Sequence, residues 1–515
     1  MLSNNYTYRV MIELYTIEGE HIELISSEVT IELNNSLFND GVNFKGSLSY
    51  PIDIAGSPKN RRLFGFSDFL EVGFKKDGLQ VQVRAGSKIL KRGLLTISVS
   101  ESGFAGHLKL DIGSISDKIR ELKLTSLPFK SFLLGKNLNE VTTKLLESAK
   151  NTNWREIPYT FLPTKNPDFI ADFTKNNAPN SPPPLINSFK NGAFVFTDLK
   201  STPIVPYFYL SYILSAIAGW LGFSLKGDFS LHPAVEKIVI YNPHCISIHT
   251  INPIQSPSYQ AYSACGQNHL PPLTVADFFK ALCSFFCCRI KIDDMAKELD
   301  ISWKKTVFEK PSYRDWREKL IAITGQEASP AAGYTLTTQV AKKPDGGLPE
   351  KDEYILGDGK LKIELKAGTL DFISENIPGE TAFWKIPTDK RVGDIASGDF
   401  PLQFLFTNGF QKHPTSGFES PSFNLKISGE KGLFNFSHKR WFNQTRGGKL
   451  IKAKFLLHEN DIHALKDEDI IYIKSDSGVS VACLLKKLTF MSAIRNQTAV
   501  LAEAELIVLP KPTII

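Results

Sequence analysis

The stretch FKGSLSYPIDIAGSPKNRRLFGFSDFLEVGFKKDGLQVQVRAGSKILKRGLLTISVS, Phe44–Ser100, decides how this chain is read. Short apolar segments alternate in it with Gly, Pro, Asn and Asp, the residues that end strands and make turns. Leu79–Arg84 and Ile89–Val99 read as two strands joined by a tight turn over Ala85–Lys88, where Gly86 can take a positive φ. Leu94, Ile97 and Val99 do not alternate strictly, which predicts a curved or bulged strand. Between Tyr50 and Leu63 the polar SPKNRR run separates two apolar runs and reads as a loop, with Arg61 and Arg62 facing solvent or a neighbouring subunit. The expected product is a small antiparallel barrel rather than a catalytic core.

Working outward, Tyr6–Tyr15 and Ile22–Leu33 alternate at period two around the turn Glu18–Gly19–Glu20, a hairpin that feeds the barrel. Gly106–Ile112 adds a closing strand, and Ile115–Leu124 leads away from it. Asn137 can cap a helix over Leu138–Ala149, with Leu138, Val141, Leu145 and Leu146 on one face. Asn166–Asn180 is polar and is followed by Ser181–Pro184, whose prolines lack the N–H a ladder needs, so a surface loop or linker is expected.

Phe223–Asp228 and Glu236–Tyr241 read as strands. Leu273–Cys288 is a second helix, capped by Thr274, and Arg289–Ile292 with Leu299–Trp303 follows as a hairpin. A polar stretch from Ala331 to Ile355 precedes a second β-rich half: Leu361–Leu365, Leu402–Phe406, Phe423–Ile427, Ile451–Leu457, Ile470–Lys474, Val479–Phe490 and Val500–Leu509.

At 515 residues the chain calls for several domains, because one core rarely grows past roughly 250–300 residues. The 42% apolar and 22% charged usage is ordinary for a globular protein, and a net charge of +6 over this length is too dilute to argue for nucleic-acid binding. The opening MLSNNYTYRV lacks a basic-then-apolar pattern and reads as a first strand rather than a signal peptide. Six cysteines are too few for a disulfide scaffold. Cys283, Cys287 and Cys288 sit in an apolar helical run, so reduced buried thiols and folding in a bacterial cytoplasm are expected.

Ser201–Leu225 carries no formal charge. A helix between Pro206 and Gly222 would be about 24 Å long, short of the roughly 30 Å of a bilayer core, and a buried helix is the expectation.

Two segments echo one another. Val83–Ile112 runs strand, Gly turn, strand through Leu94–Leu95, polar turn, closing strand. Ile473–Leu506 repeats that order, with Leu484–Leu485 in the equivalent place.

The order FKGSLSYPI, polar loop, LEVGF, Gly hairpin, GLLTISVS resembles the first barrel of bacteriophage tail hub proteins. These are the baseplate hub of contractile tails and the tail-tip (tail-associated) protein of long non-contractile tails. The helix–strand–strand order that ends in Tyr313–Arg314–Asp315–Trp316 resembles the middle of those proteins. The resemblance implies an α+β, β-rich fold with two hub-type antiparallel β-barrel domains separated by a small helix-containing α/β insertion. Residues 1–115 would form the first barrel, 116–330 the insertion and 331–515 the second barrel region.

It further implies a non-enzymatic homotrimer whose six quasi-equivalent units form a ring at the tail tip or baseplate of the virion. Its partners would be further copies of itself, a tail tube or distal tail protein, and spike or fibre proteins, with DNA passing only in transit. No cofactor and no stable membrane insertion are expected. Interface candidates are Tyr50, Arg61, Arg62, Phe64 and Phe66 in one loop. Phe434, Phe436, Arg440, Trp441 and Phe442 form a second set in FNFSHKRWF, a run that could equally pack inside its own domain.

Nucleophile-elbow, phosphate-loop and dinucleotide glycine patterns do not occur. His458 and His463 are five apart rather than the four that puts two zinc ligands on one helical face, so surface histidines are expected. His244, Cys245, His249, Cys265 and His269 lack the paired spacing of a zinc site and read as turn and core residues. Two other classes stay open: a tail-associated cell-wall hydrolase, and an adhesive or carbohydrate-binding β protein, which should carry a secretion signal.

Overall fold

In a computed structural model, residues 12–510 are described except 26–28, 39–46, 50, 70, 73–77, 86–87, 102, 111–114, 166–184, 198–201, 252–258, 294, 329–332, 339–351, 371–372, 376–382, 388–400, 411–413, 418, 446–447, 476 and 492–498. The expectations for Tyr6–Met11, Gly86, Asn166–Asn180 and Ser181–Pro184 therefore lie outside the described residues.

The N-terminal strands are β1 (Ile12–Thr16), β2 (His21–Ile22), β3 (Thr30–Asn34), β4 (Leu48–Ser49), β5 (Ile52–Ala55), β6 (Leu79–Ala85), β7 (Lys88–Ser100) and β8 (Gly103–Leu110). The expected 79–84/89–99 hairpin is β6 and β7, with one register shift at Val83/Arg84 that bends it. β1 and β2 form the expected turn around Gly19, whose φ is +91°.

The predicted strand 22–33 divides. The amide of Ile25 donates to Asp53 O, which draws the chain toward β5, and β3 joins different neighbours. The SPKNRR run is a helix, α1 (Pro58–Leu63), rather than a loop. Ser57 accepts a hydrogen bond from the amide of Asn60, and Pro58 occupies the first turn, where its missing N–H costs nothing. Asn60 turns inward, fully buried, and its side chain bonds Glu23 N, Glu23 O and Ala55 O.

The C-terminal strands are β9 (Ser312–Asp315), β10 (Leu320–Glu327), β11 (Leu450–His458), β12 (Asp469–Lys474), β13 (Ser480–Met491) and β14 (Ala499–Val508). All fourteen strands form one sheet. Its path runs β2, β1, β6, β7, β8, β4, β3, β13, β14, β11, β10, with β5 beside β8, β12 beside β13 and β9 beside β12. Alternate residues point to one core: Ile451, Ala453, Phe455 and Leu457 are buried along β11 while Lys452 and Leu456 are exposed.

Closed barrels were expected, and among the described residues the sheet is open, ending at β2 and β10. The N-terminal strands do not close on themselves because their last edge, β3, is used to join β13.

A second core is built by helices α2 (Ser116–Glu121), α3 (Leu138–Lys150), α4 (Leu210–Leu221) and α5 (Val275–Phe286) with several short sheets. Asn137 and Thr274 cap α3 and α5, each accepting from the amide three residues on. α4 begins at Leu210 rather than at Pro206. Tyr207 and Phe208 pair with Thr160 and Tyr159, and the amide of Tyr209 donates to Pro158 O, so their backbone is already engaged. Gly222 ends α4 at φ +79°. Among the described residues no helix is long and apolar enough to cross a membrane.

This core draws side chains from Ile115 as far as Phe434, while the core of the large sheet takes Leu14–Leu110, Trp316 and Ile451–Leu506. Phe423–Ile427, read as a strand, is irregular. The Asp352 carboxylate accepts from the amides of Ile427 (2.7 Å) and Ser428 (3.3 Å), replacing a ladder partner.

Candidate functional site

The joint between the two strand sets is the feature on which any assembly reading depends. β3 lies between β4 and β13, with Ile31 opposite Ser49 on one side and Phe490 on the other. Just past β3, Asn35 is 5% exposed. Its Nδ2 donates to Asp467 O and Leu485 O, both at 2.7 Å, and its Oδ1 accepts from the amide of Leu37 at 2.9 Å.

Three consecutive carboxylates then reach three parts of the chain. Asp467 accepts from the Ser36 hydroxyl and amide. Glu468 holds Arg289 from the helical region at 3.1 Å. Asp469, completely buried, accepts from Arg314 Nε at 2.7 Å and from Ser312 on β9. Burial works against ionised Asp467, but Lys291, Arg289 and the Ser36 hydroxyl more than offset it and hold its carboxyl below the usual range. Asp467, Glu468 and Asp469 were not singled out from the sequence, and nothing in their spacing tells where each carboxylate goes.

A cavity of ≈ 80 Å³ lies against this joint, lined by Ile31, Leu33, Val83, Leu485 and Phe490 with Lys466 and Asp467 at its polar side. It is large enough for a few waters and too small for a ligand of ordinary size.

The two echoing segments fold alike. β6, β7, β8 and β12, β13, β14 are both antiparallel meanders. Their hairpins share one register in the alignment that places Leu94–Leu95 on Leu484–Leu485. Val83 faces Lys91 as Ile473 faces Val481, and Val81 faces Gly93 as Ile471 faces Cys483. Val81, Val83, Ile471 and Ile473 are all buried, so the same face of each hairpin meets the core.

The residues proposed for interfaces fall in different surroundings. Tyr50 lies outside the described residues. Arg61 pairs with Asp68 at 2.6 Å and Arg62 with Glu20 at 3.6 Å, both on the surface. Phe64 is buried against Phe104. Phe66 is 45% exposed at φ +56°, an uncommon conformation for a bulky side chain, and neighbours the equally open Phe69, over which Arg61 lies. Around FNFSHKRWF, Phe434 stacks on Tyr354, Phe436 on Phe423, and Phe442 lies over His438. Trp441 is buried between Phe38 and Phe308. Only Arg440 of the named five is open to solvent, so this segment mainly packs within the chain.

Among the described residues no group of three or more metal-ligating side chains comes together. His269 is buried, its Nδ1 3.1 Å from His244 O and its ring stacked on Phe208. His458 caps the N-terminus of a short surface helix, Glu459–His463, and His463 is its last residue. Burial pushes the thiols of Cys287 and Cys483 up to about 12, which keeps them protonated and unreactive at neutral pH.

No family model matches the chain, and no curated protein matches it. Solved structures do align along it. The 43 kDa tail protein of prophage MuSo2 from Shewanella oneidensis aligns at 8% identity and TM-score 0.38, over 96% of this chain and 98% of that one. Prophage tail protein gp18 from Listeria monocytogenes EGD-e aligns at 6% identity and TM-score 0.36, over 98% and 96%. The tail protein from Neisseria meningitidis MC58 aligns at 8% identity and TM-score 0.34, over 96% of each chain.

Proposed function

We propose that the chain is a structural, non-enzymatic subunit of a phage tail or tail-like injection machine, placed at the hub or tail tip. Three copies would form a ring of six similar units that joins a sixfold tail tube to a spike or fibre apparatus and lets DNA pass through its bore.

The observation that supports this reading is the duplication: two meanders in one continuous sheet, whose first hairpins share their register up to the bulge at Val83/Arg84. Such an arrangement lets one chain offer two nearly equivalent surfaces to a sixfold partner. The exposed Arg61, Arg62 and Phe66 at α1 would meet the tube or the spike, since Arg beside aromatic side chains is the usual make-up of an interface centre.

Electron microscopy of the purified chain, alone and with its tail-tube neighbour, tests the reading. Threefold rings with six lobes are expected. Rings of six copies, or peptidoglycan clearing by the purified chain in a zymogram, would overturn it.

A further inference from the structure

The cavity at the joint has an apolar wall and a cationic mouth. Ile31 on β3, Val83 on β6, and Leu485 and Phe490 on β13 form the wall, each at most 5% exposed. The wall draws on both strand sets because β3 crosses to β13 here. His463 and Lys466 line the other side and are exposed, so the cavity opens to solvent.

The Asp467 carboxylate also lines the cavity, but its charge is already engaged. The Ser36 hydroxyl donates to it, Arg289 lies 3.9 Å away, and Lys291 and Lys91 add their fields. Glu468 is taken by Arg289 at 3.1 Å. Lys466 is not among these partners. Lys91, Arg289, Lys291 and Lys466 therefore stand against Asp467 and Glu468, four cations against two carboxylates, which leaves two positive charges in excess. An apolar cavity of roughly 150 Å³ takes a benzene ring, so one of ≈ 80 Å³ has room for about three or four carbon atoms.

We propose that this cavity binds a short branched aliphatic carboxylate, with the hydrocarbon end against Ile31, Val83 and Phe490 and the carboxylate at Lys466. Removing the hydrocarbon from water supplies the attraction, and the excess positive charge selects the head group. A free short-chain acid and the C-terminal leucine or valine of a peptide offer this same group. The inference is independent of the ring reading.

The test is calorimetric titration of isovalerate into the full-length chain, at constant ionic strength with chloride as the control salt. Isovaleramide, isopentylamine and a short peptide ending in a free leucine carboxylate are titrated alongside, the peptide also as its C-terminal amide. Saturable millimolar binding of isovalerate is expected, at least about tenfold tighter than that of the amide or the amine, which lack the charge-assisted bond. Leu33 lines the cavity from β3, and Leu33→Phe should fill it and abolish binding. Lys466→Gln changes only an exposed side chain and should weaken binding about tenfold. Circular dichroism checks the fold of both variants.

Whichever carboxylate binds tighter names the source, the peptide a partner's C-terminus and isovalerate a small free acid. Three results would overturn the proposal: no saturable binding of either carboxylate, equal binding of carboxylate, amide and amine, or isovalerate binding unchanged in either folded variant.

Discussion

Asn35 holds the two strand sets together, and replacing it measures that joint. In Asn35→Ala the carbonyls of Asp467 and Leu485 lose a donor and the amide of Leu37 loses its acceptor, all three in or near the interior. At roughly 0.5–1.5 kcal/mol net for each hydrogen bond, the loss should be about 2–4 kcal/mol. The isosteric Asn35→Asp keeps the shape but aims a carboxylate at two carbonyl oxygens, so it should cost more than alanine at pH 7. The effect belongs to the joint rather than to the whole chain, whose two cores need not unfold together. Amide hydrogen exchange of Ile31 and Leu33 on β3 is therefore the suitable assay. About 2–4 kcal/mol of lost opening energy corresponds to exchange some 30- to 700-fold faster. Acceleration under about threefold, or an aspartate variant more protected than the alanine one, would refute the account of this joint.

Other predictions follow from single residues. Gly227→Ala should destabilise by more than about 2 kcal/mol, read as a lower midpoint in thermal unfolding. Its φ is +104°, and an added Cβ would lie 2.1 Å from Ile301 O. His438 is buried, and desolvation pulls its imidazole from 6.5 down to about 4, against the pull of the Leu433 and Ser284 carbonyls. The unfolded chain thus binds a proton that the folded chain refuses. The stabilisation is complete above pH 6.5, falls as pH drops toward 4, and amounts to about 3 kcal/mol. His438→Gln should flatten that part of the pH–stability profile.

Lys487 on β13 reaches both Glu505 at 3.3 Å and Glu32 on β3 at 3.5 Å. A double-mutant cycle between Lys487→Ala and Glu32→Ala should give about 0.5 kcal/mol of coupling, lost in 1 M salt, since the pair is partly exposed and screened.

Local chemistry made much of this fold readable in the chain itself. Short apolar runs bounded by turn residues located β6, β7, β11, β12, β13 and β14, and the caps Asn137 and Thr274 located α3 and α5, because each signal lies within a few residues of what it specifies. α1 carried its signal too, in Ser57 and Pro58, although its polar composition read as loop. The echo between Val83–Ile112 and Ile473–Leu506 was visible because a hairpin's register depends on its own turn and apolar pattern.

What only the tertiary structure decided is how distant edges meet. Whether β3 closes a barrel with its own set or crosses to β13 changes none of its own residues, since a strand edge offers the same N–H and C=O groups to either partner. The fate of Phe434, Phe436 and Trp441 was undecided for a similar reason. Aromatic side chains suit an interface and a core alike, and it is Tyr354, Phe423 and Phe38, between 13 and about 400 residues away in the chain, that cover them here.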